Sequence, residues 1–319
     1  MKTLNRTETA EFLQEHDCFC ILTHRRPDGD TIGSSAALCR LLRNMGKTAH
    51  VLRNPEVSDR FRWLHEGLTK EAVEEGDTLV AVDVASPSML PKGLEALAGR
   101  IDLRIDHHGA GTSFAENELV DPGAGACGEI LYDILMELWQ ELDAGTADAL
   151  YVAMSTDTGC FRFSNTTDHT FLVAAACAHS GARVYALNQE LFETNTLARL
   201  KMQGWIVEHM RVLDEGRLAI VAIPKAVERR LGVTEDDMDN ISSFPRTVAG
   251  VCMAATLRET TDGESKLSVR AVPGYDATRI TTLFGGGGHK GAAGANLNMP
   301  VEEAERAVEA AMREMKSEQ

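Results

Sequence analysis

Cations, aromatic residues and long apolar runs are all scarce in this sequence. Lys and Arg number 32 against 48 Asp and Glu, a formal net charge of −16, which argues against wrapping long nucleic acid through phosphate contacts. Aromatics make up 5% of residues, too few to build a stacking track for a long single strand. The longest run free of Asp, Glu, Lys and Arg is the 14 residues His169–Ala182, whereas a membrane helix needs about 20. The opening MKTLNRTETAEFLQE puts acids where a secretory leader needs an apolar core. The seven cysteines are odd in number and form no CxxC pair. Cys18 and Cys20 alternate along an apolar strand and read as packing residues. The expected compartment is the cytoplasm.

What is present is ample apolar material, 44% of 319 residues, enough for about two domains of roughly 150 residues each. Short apolar runs alternate with helical patterns. Cys18–Thr23, Thr48–Leu52, Thr78–Val82 and Ile101–Ile105 read as strands. A helix through Ser34 to Leu42 is closed by Gly46. Further helices are expected over Glu129–Leu142, Thr146–Met154 and His169–His179. This alternation predicts an α/β fold with a doubly wound, mostly parallel sheet over residues 1–186. Residues 187–211 are polar and free of Pro, and are expected to form a helical linker. A smaller α/β domain, 212–319, carries candidate strands at Leu218–Ile223, Val248–Leu257 and Lys266–Val272. The Gly-rich segment Gly285–Ala295 and an amphipathic helix after Pro300 follow.

Acids and histidines gather where strands end. His24-Arg25-Arg26-Pro27-Asp28-Gly29-Asp30 follows the first strand, Asp83 the third, and Asp106-His107-His108 the fourth. Asp157 follows an apolar helix. In a parallel sheet, ligands bind at the carboxyl ends of the strands. Taken alone, Asp28 suits a helix N-cap, Asp83 suits a turn, and the Asp-His-His triplet is short enough to occur by chance. Capping does not explain several such sites at once. Converging carboxylates repel unless a cation is present, and a mixed imidazole and carboxylate set suits Mn²⁺ or Fe²⁺.

The chain resembles the DHH phosphoesterases with a C-terminal DHHA1 domain, in their oligoribonuclease and 3′-phosphoadenosine-5′-phosphate (pAp) phosphatase subgroup. The resemblance runs through THRRPDGDTIGS, VAVDVASP, IDHH, STDTGCFRFSNTT and FGGGGHKGAAGA. It implies that His24, Asp28 and Asp83 hold one metal ion. Asp30, Asp83, His107 and Asp157 would hold another, with Asp83 bridging. His108 would face the scissile phosphate and Asp106 would orient a neighbouring imidazole. The implied cofactor is two Mn²⁺, with Mg²⁺ or another divalent ion as substitute. Gly286, Gly287, Gly288, His289 and Arg270 would bind the nucleotide end of the substrate, and a glycine run opening into small residues also suits backbone amides facing an anion. Two departures touch substrate contacts. Relatives often carry Asn after the Asp-His-His, where Gly111-Thr112 stands here, and many carry a basic residue at the position of Cys160.

The expected substrates are RNAs of about 2–5 nucleotides and pAp. Cyclic di-AMP or its linear product pApA is the enzymatic alternative, and a non-catalytic RNA-binding module the alternative of another class. The presence of every expected His and Asp counts against the module. Long duplexes and membranes are not expected partners, and a homodimer is compatible with the sequence. Gly46-Lys47-Thr48 only imitates a P-loop, since Leu41 stands where its first glycine is required. No GxSxG elbow occurs.

Overall fold

The computed structural model describes residues 1–109, 111–261 and 263–315. The chain divides into two compact units, Met1–Thr194 and Asn195–Gln319. No helix among the described residues is long and apolar enough to cross a membrane.

The first unit is built on seven strands: β1 (Lys2–Thr3), β2 (Phe19–Leu22), β3 (Ala49–Leu52), β4 (Thr69–Lys70), β5 (Thr78–Val82), β6 (Leu103–Asp106) and β7 (Asn117–Val120). Their order is β1-β7-β6-β5-β2-β3-β4, and every pairing is parallel. The central runs FCIL and TLVAV are apolar without alternation because both faces are buried. Phe19, Ile21, Val80 and Val82 face one core, while Cys20, Leu22, Leu79 and Ala81 face another.

The first core is covered by α1 (Arg6–Glu15), α2 (Gly29–Asn44), α3 (Cys127–Glu137), α4 (Ala144–Asp157), α5 (Asp168–His179) and α6 (Val184–Asn188), through residues such as Leu13, Leu38, Ile130, Leu150, Val173 and Leu187. The second core is closed by Leu90, Ile101 and Ala115, with short 3₁₀ turns at Pro87–Met89 and Glu95–Arg100 where helical connections were expected. Pro87 and Pro91 and the glycines at 93 and 99 deny this stretch a continuous α-helix.

The single helix expected over Leu187–Met210 is broken. A π-turn at Gln189–Glu193 ends α6, and α7 (Leu197–His209) begins only after Thr196. Thr196 is the cause: its hydroxyl accepts from Arg199 N at 3.0 Å as an N-cap. Leu187 and Leu191 belong to the core of the first unit, whereas Met202 and Ile206 belong to a core of the second.

The second unit adds α8 (Lys225–Leu231), α9 (Thr278–Thr281) and α10 (Val301–Met315) to a six-stranded sheet. Its strands are β8 (Arg211–Leu213), β9 (Leu218–Ile223), β10 (Met253–Thr261), β11 (Glu264–Ala271), β12 (Gly287–His289) and β13 (Ala292–Leu297). They run in the order β12-β13-β11-β10-β9-β8, with β9 and β10 parallel and the other pairs antiparallel. Val301, Ala304, Val308 and Met312 give α10 one apolar stripe against Leu257, Leu267 and Val269. The glycine run enters an antiparallel pair: Gly285 ends a 3₁₀ turn, Gly287 and Gly288 lie in β12, and Gly294 lies in β13.

Candidate metal centre

A parallel sheet brings the carboxyl ends of neighbouring strands to one edge. His24 follows β2, Asp83 follows β5, and Asp106 closes β6 ahead of His107 and His108. Asp28 and Asp30 come from the start of α2, and Asp157 is the last residue of α4. The helix approach is set by glycines. A Cβ on Gly29 would lie 2.3 Å from Thr156 Oγ1, and one on Gly33 2.4 Å from Ala149 O, so α2 lies directly on α4. Asp83 itself has φ 59°, a left-handed conformation that a strand-end side chain adopts at a cost.

The structure brings the expected His and Asp residues of this unit together. His24 Nε2 lies 3.6 Å from Asp28 Oδ1 and 3.7 Å from Asp83 Oδ2. His107 Nε2 lies 3.5 Å from Asp83 Oδ1, 3.6 Å from Asp30 Oδ2 and 3.7 Å from Asp157 Oδ2. These separations are long for hydrogen bonds. They approach the roughly 3–3.5 Å between atoms that share a cation at about 2.1 Å. Three triads of donor atoms, each within 4.8 Å, emerge: His24, Asp28 and Asp83; Asp30, His107 and Asp157; Asp83, His107 and His108. Asp83 and His107 each belong to two of them.

The imidazoles are held in the right tautomer for this. His24 Nδ1 donates to Arg25 O at 2.8 Å, leaving Nε2 as a lone-pair donor toward the carboxylates. His107 Nδ1 faces Ala124 O at 3.3 Å. His108 differs, because its Nδ1 is bound by Asp106 Oδ1 at 2.8 Å.

The electrostatics also ask for a cation. Burial, with Asp30, Asp28, Asp106 and Asp157 nearby, pushes the Asp83 carboxyl well above its usual range. Burial and Asp30 push Asp157 up to about 7. Asp83 Oδ1 is buried without a hydrogen-bond partner, an arrangement that costs free energy unless something else binds the atom. The donor set thus fits a divalent cation. Asp28 also caps α2, accepting from Asp30 N and Thr31 N at 3.1 and 3.2 Å. Capping and site membership coexist in one side chain.

Several supporting residues were not singled out from sequence. Asp30 accepts from Cys127 N and Gly128 N at the start of α3. Asn165 Nδ2 donates to Gly125 O at 2.8 Å and to Asp157 Oδ2 at 3.3 Å. Asn165 stands in the SNTT part of the motif and was open to recognition. Arg104, buried at 1% exposure beside Asp106, was not, since a charged residue in a strand ordinarily points to solvent.

The residues expected to bind the nucleotide end lie in the second unit. Arg270 and His289 both pair with Ala292, on β11 and β12 respectively. They therefore share one face of the sheet, with backbones roughly 10 Å apart across two strand spacings. Gly286 and Gly288 serve close strand approach: a Cβ on Gly286 would meet Gly294 O at 2.2 Å, and Gly288 has φ 141°. Gly287 meets nothing. β12 is an edge strand and leaves one row of backbone groups unpaired. Arg270 donates to Val269 O at 3.2 Å and has no carboxylate partner among the described residues. Burial and the charge of Arg246 lower its pKa. Arg246, half-buried and also without a carboxylate partner there, was not foreseen.

A parallel α/β unit with a His/Asp cluster at its carboxyl edge, followed by a mixed-sheet unit, defines a class of two-domain proteins. The family model described as "DHH family, N-terminal domain" matches residues 18–154, and that of the DHHA1 domain matches 218–317. The chain is 33% identical to a bifunctional oligoribonuclease and PAP phosphatase of Thermus thermophilus, over 92% of this chain and 89% of that one. A protein of the same description from Bacillus subtilis is 25% identical over 92% and 93%. The solved structure of an exopolyphosphatase-related protein from Bacteroides fragilis shares the fold, with a TM-score of 0.86, 22% identity, and coverage of 98% and 96%. The chain belongs to the DHH family and carries its DHHA1 domain.

Proposed function

We propose that this protein hydrolyses RNAs of about two to five nucleotides to mononucleotides and dephosphorylates pAp to AMP. The observation that carries the reading is the convergence of His24, Asp28, Asp30, Asp83, His107 and Asp157 on one edge of the sheet, in a chain 33% identical to an oligoribonuclease and PAP phosphatase. In this reading His24, Asp28 and Asp83 hold one divalent cation, and Asp30, Asp83, His107 and Asp157 a second. Bound there, such a pair supplies Lewis-acid polarisation of a phosphoryl group and a nucleophile at neutral pH. Mn²⁺ is favoured over Ca²⁺, because two imidazole nitrogens and compact carboxylates suit a smaller, softer ion.

The remaining work falls to the protein's own groups. Asp106 fixes His108 with its Nδ1–H directed inward, so that Nε2 is the atom free to meet the substrate. The hydrogen bond to Asp106 raises the His108 pKa despite burial, favouring an imidazolium that offsets phosphoryl charge or protonates the leaving oxygen. Arg270 and His289 bind the nucleotide end. Seven free thiols suit a reducing compartment, the cytoplasm.

The test is product analysis on metal-stripped protein resupplied with Mn²⁺, Mg²⁺ or Ca²⁺. The panel is pAp, RNAs of two to ten nucleotides, cyclic di-AMP and pyrophosphate. Turnover of pAp and of di- and trinucleotides with Mn²⁺ is expected. Preference for cyclic di-AMP, for pyrophosphate or for the ten-mer would replace the reading.

A further inference from the structure

Arg104 is an unusual residue for a central strand. It lies on β6 between Leu103 and Ile105, which face the main core, and points instead toward the second core at 1% exposure. Its cross-strand partner in register on β7 is Glu118, also buried. Nη1 lies 3.6 Å from Glu118 Oε2, and Nη2 bonds Asp106 Oδ2. The guanidinium sits 5.3 Å from the Phe114 ring centroid.

Stability does not account for this arrangement. One guanidinium is buried with two carboxylates, and its Nε has no hydrogen-bond partner. Desolvation of such a cluster offsets its attraction, and apolar side chains of similar volume commonly replace buried ion pairs without loss. What the cluster does hold is the segment around His108. Asp106 Oδ1 accepts from His107 N at 2.8 Å, His108 N at 3.2 Å and His108 Nδ1 at 2.8 Å. Arg104 takes the other oxygen, so the carboxylate cannot rotate. Glu118 Oε1 accepts from Phe114 N at 2.7 Å and Ala115 N at 3.1 Å, fastening the far end of the same segment. Between them, Ala85 O accepts from Thr112 N at 2.9 Å and faces Arg104 Nη2 at 3.4 Å. A Cβ on Gly111 would lie 2.4 Å from that nitrogen, so the guanidinium fills the space beneath the segment.

We infer that Arg104 and Glu118 are positioning residues, which lock the Asp106 carboxylate and the chain after His108 so that the His108 imidazole keeps one orientation toward the reacting phosphate. This rests on the hydrolytic reading above. Neither residue belongs to the donor triads among the described residues.

The test compares Arg104→Met/Glu118→Leu, which removes both charges, with Arg104→Lys, with Asp106→Asn, and with all three substitutions of the first and third combined. The double variant should fold with a lowered melting temperature, because Glu118→Leu leaves Phe114 N and Ala115 N without their acceptor. It should bind Mn²⁺ with unchanged affinity, while kcat for a dinucleotide falls roughly 10–100-fold with KM little altered. Arg104→Lys should recover part of the loss. Combined with Asp106→Asn, the double variant should cost nothing further, since both act through one carboxylate. In Mg²⁺-supplemented full-length protein, the His108 Nδ1 proton resonance should be protected in wild type and lost in the double variant. Unchanged kcat, losses that multiply, or a surviving resonance would each overturn the inference. If wild type turns over no phosphoester, the hydrolytic reading fails, and the resonance still decides this one.

Discussion

The carboxylate of Asp30 caps a helix that begins 97 residues further along the chain, accepting from Cys127 N at 2.7 Å. It also accepts from Gly128 N at 3.2 Å and from Ser34 Oγ at 2.8 Å. The residue in the N-cap position of α3, Ala126, has no side chain able to do this. Asp30 therefore ties the first turn of α2 to the positive end of α3 while presenting Oδ2 to His107.

Asp30→Asn keeps an acceptor for the α3 amides, and Asp30→Ala does not. Without metal, the Asn variant is expected to be the more stable of the two by about 1–2 kcal/mol, the usual worth of a cap. Both should lose affinity for divalent ions. Thermal melts with and without Mn²⁺ check this, and equal stability of the two variants would show that the cap contributes nothing.

Asp83→Ala is expected to abolish activity more completely than Asp106→Ala. Asp83 faces His24 on one side and His107 on the other, so its loss disturbs both proposed ion positions. Asp106 contacts His108 and Arg104 but belongs to none of the donor triads, and loss of an orienting group typically costs about 10–100-fold. Metal content and turnover of the two variants decide the matter. Two ions retained in Asp83→Ala, with activity equal to that of Asp106→Ala, would sink the bridging role.

His65 offers a pH test away from the metal centre. It is buried, with Nε2 2.9 Å from Ser35 Oγ and 3.2 Å from Ile32 O. Burial lowers its pKa from 6.5 to about 4. The folded protein then binds fewer protons than the unfolded chain between these values, so stability is full above about 6.5 and falls as pH drops toward 4. The share is on the order of 3 kcal/mol. Denaturant melts of wild type and His65→Leu across this range should converge as pH falls, with a slope difference approaching one proton. Parallel curves would contradict a neutral buried imidazole.

The His/Asp cluster is legible because strand ends are legible. TLVAV stops at Asp83, and the apolar run before His24 is too short for a helix, so parallel pairing was enough to predict one shared edge. The supports were hidden for a physical reason. Arg104 and Glu118 alternate with apolar residues as solvent-facing charges would, and only cross-strand register shows that they pair in the interior. The break at Thr194–Thr196 was missed because a polar, Pro-free stretch satisfies the helical pattern, while a threonine cap depends on one hydroxyl finding one amide. The strand within the glycine run is hidden from sequence because glycine marks turns more often than strands. Here it permits backbone approach at Gly286 that any side chain would block.

Arg270 is a half-buried guanidinium without a carboxylate partner among the described residues, within electrostatic reach of Arg246, and is poised for an anion, since each would otherwise raise the cost of burying the other. Arg270→Ala is expected to raise KM for dinucleotides tenfold or more, matching the loss of a charged hydrogen bond of about 1.5–3 kcal/mol. Arg246→Ala should act in the same direction. His289→Ala should do likewise, because His289 shares a row of the sheet with Arg270 through Ala292. All three lie in the unit without the His/Asp cluster, so Mn²⁺ content should not change. Binding energy of this kind can also be spent on positioning, so some loss of kcat is compatible. The effect should be greatest for substrates of two or three nucleotides, which have few other contacts to hold them. The measurement is kcat/KM for each variant across RNA lengths of two to ten, beside metal analysis. Dinucleotide kinetics unchanged in Arg270→Ala and His289→Ala would remove these residues from the substrate site. A wild-type preference for the ten-mer would do the same for the short-substrate reading, because a protein of net charge −16 offers a longer strand little electrostatic track to follow.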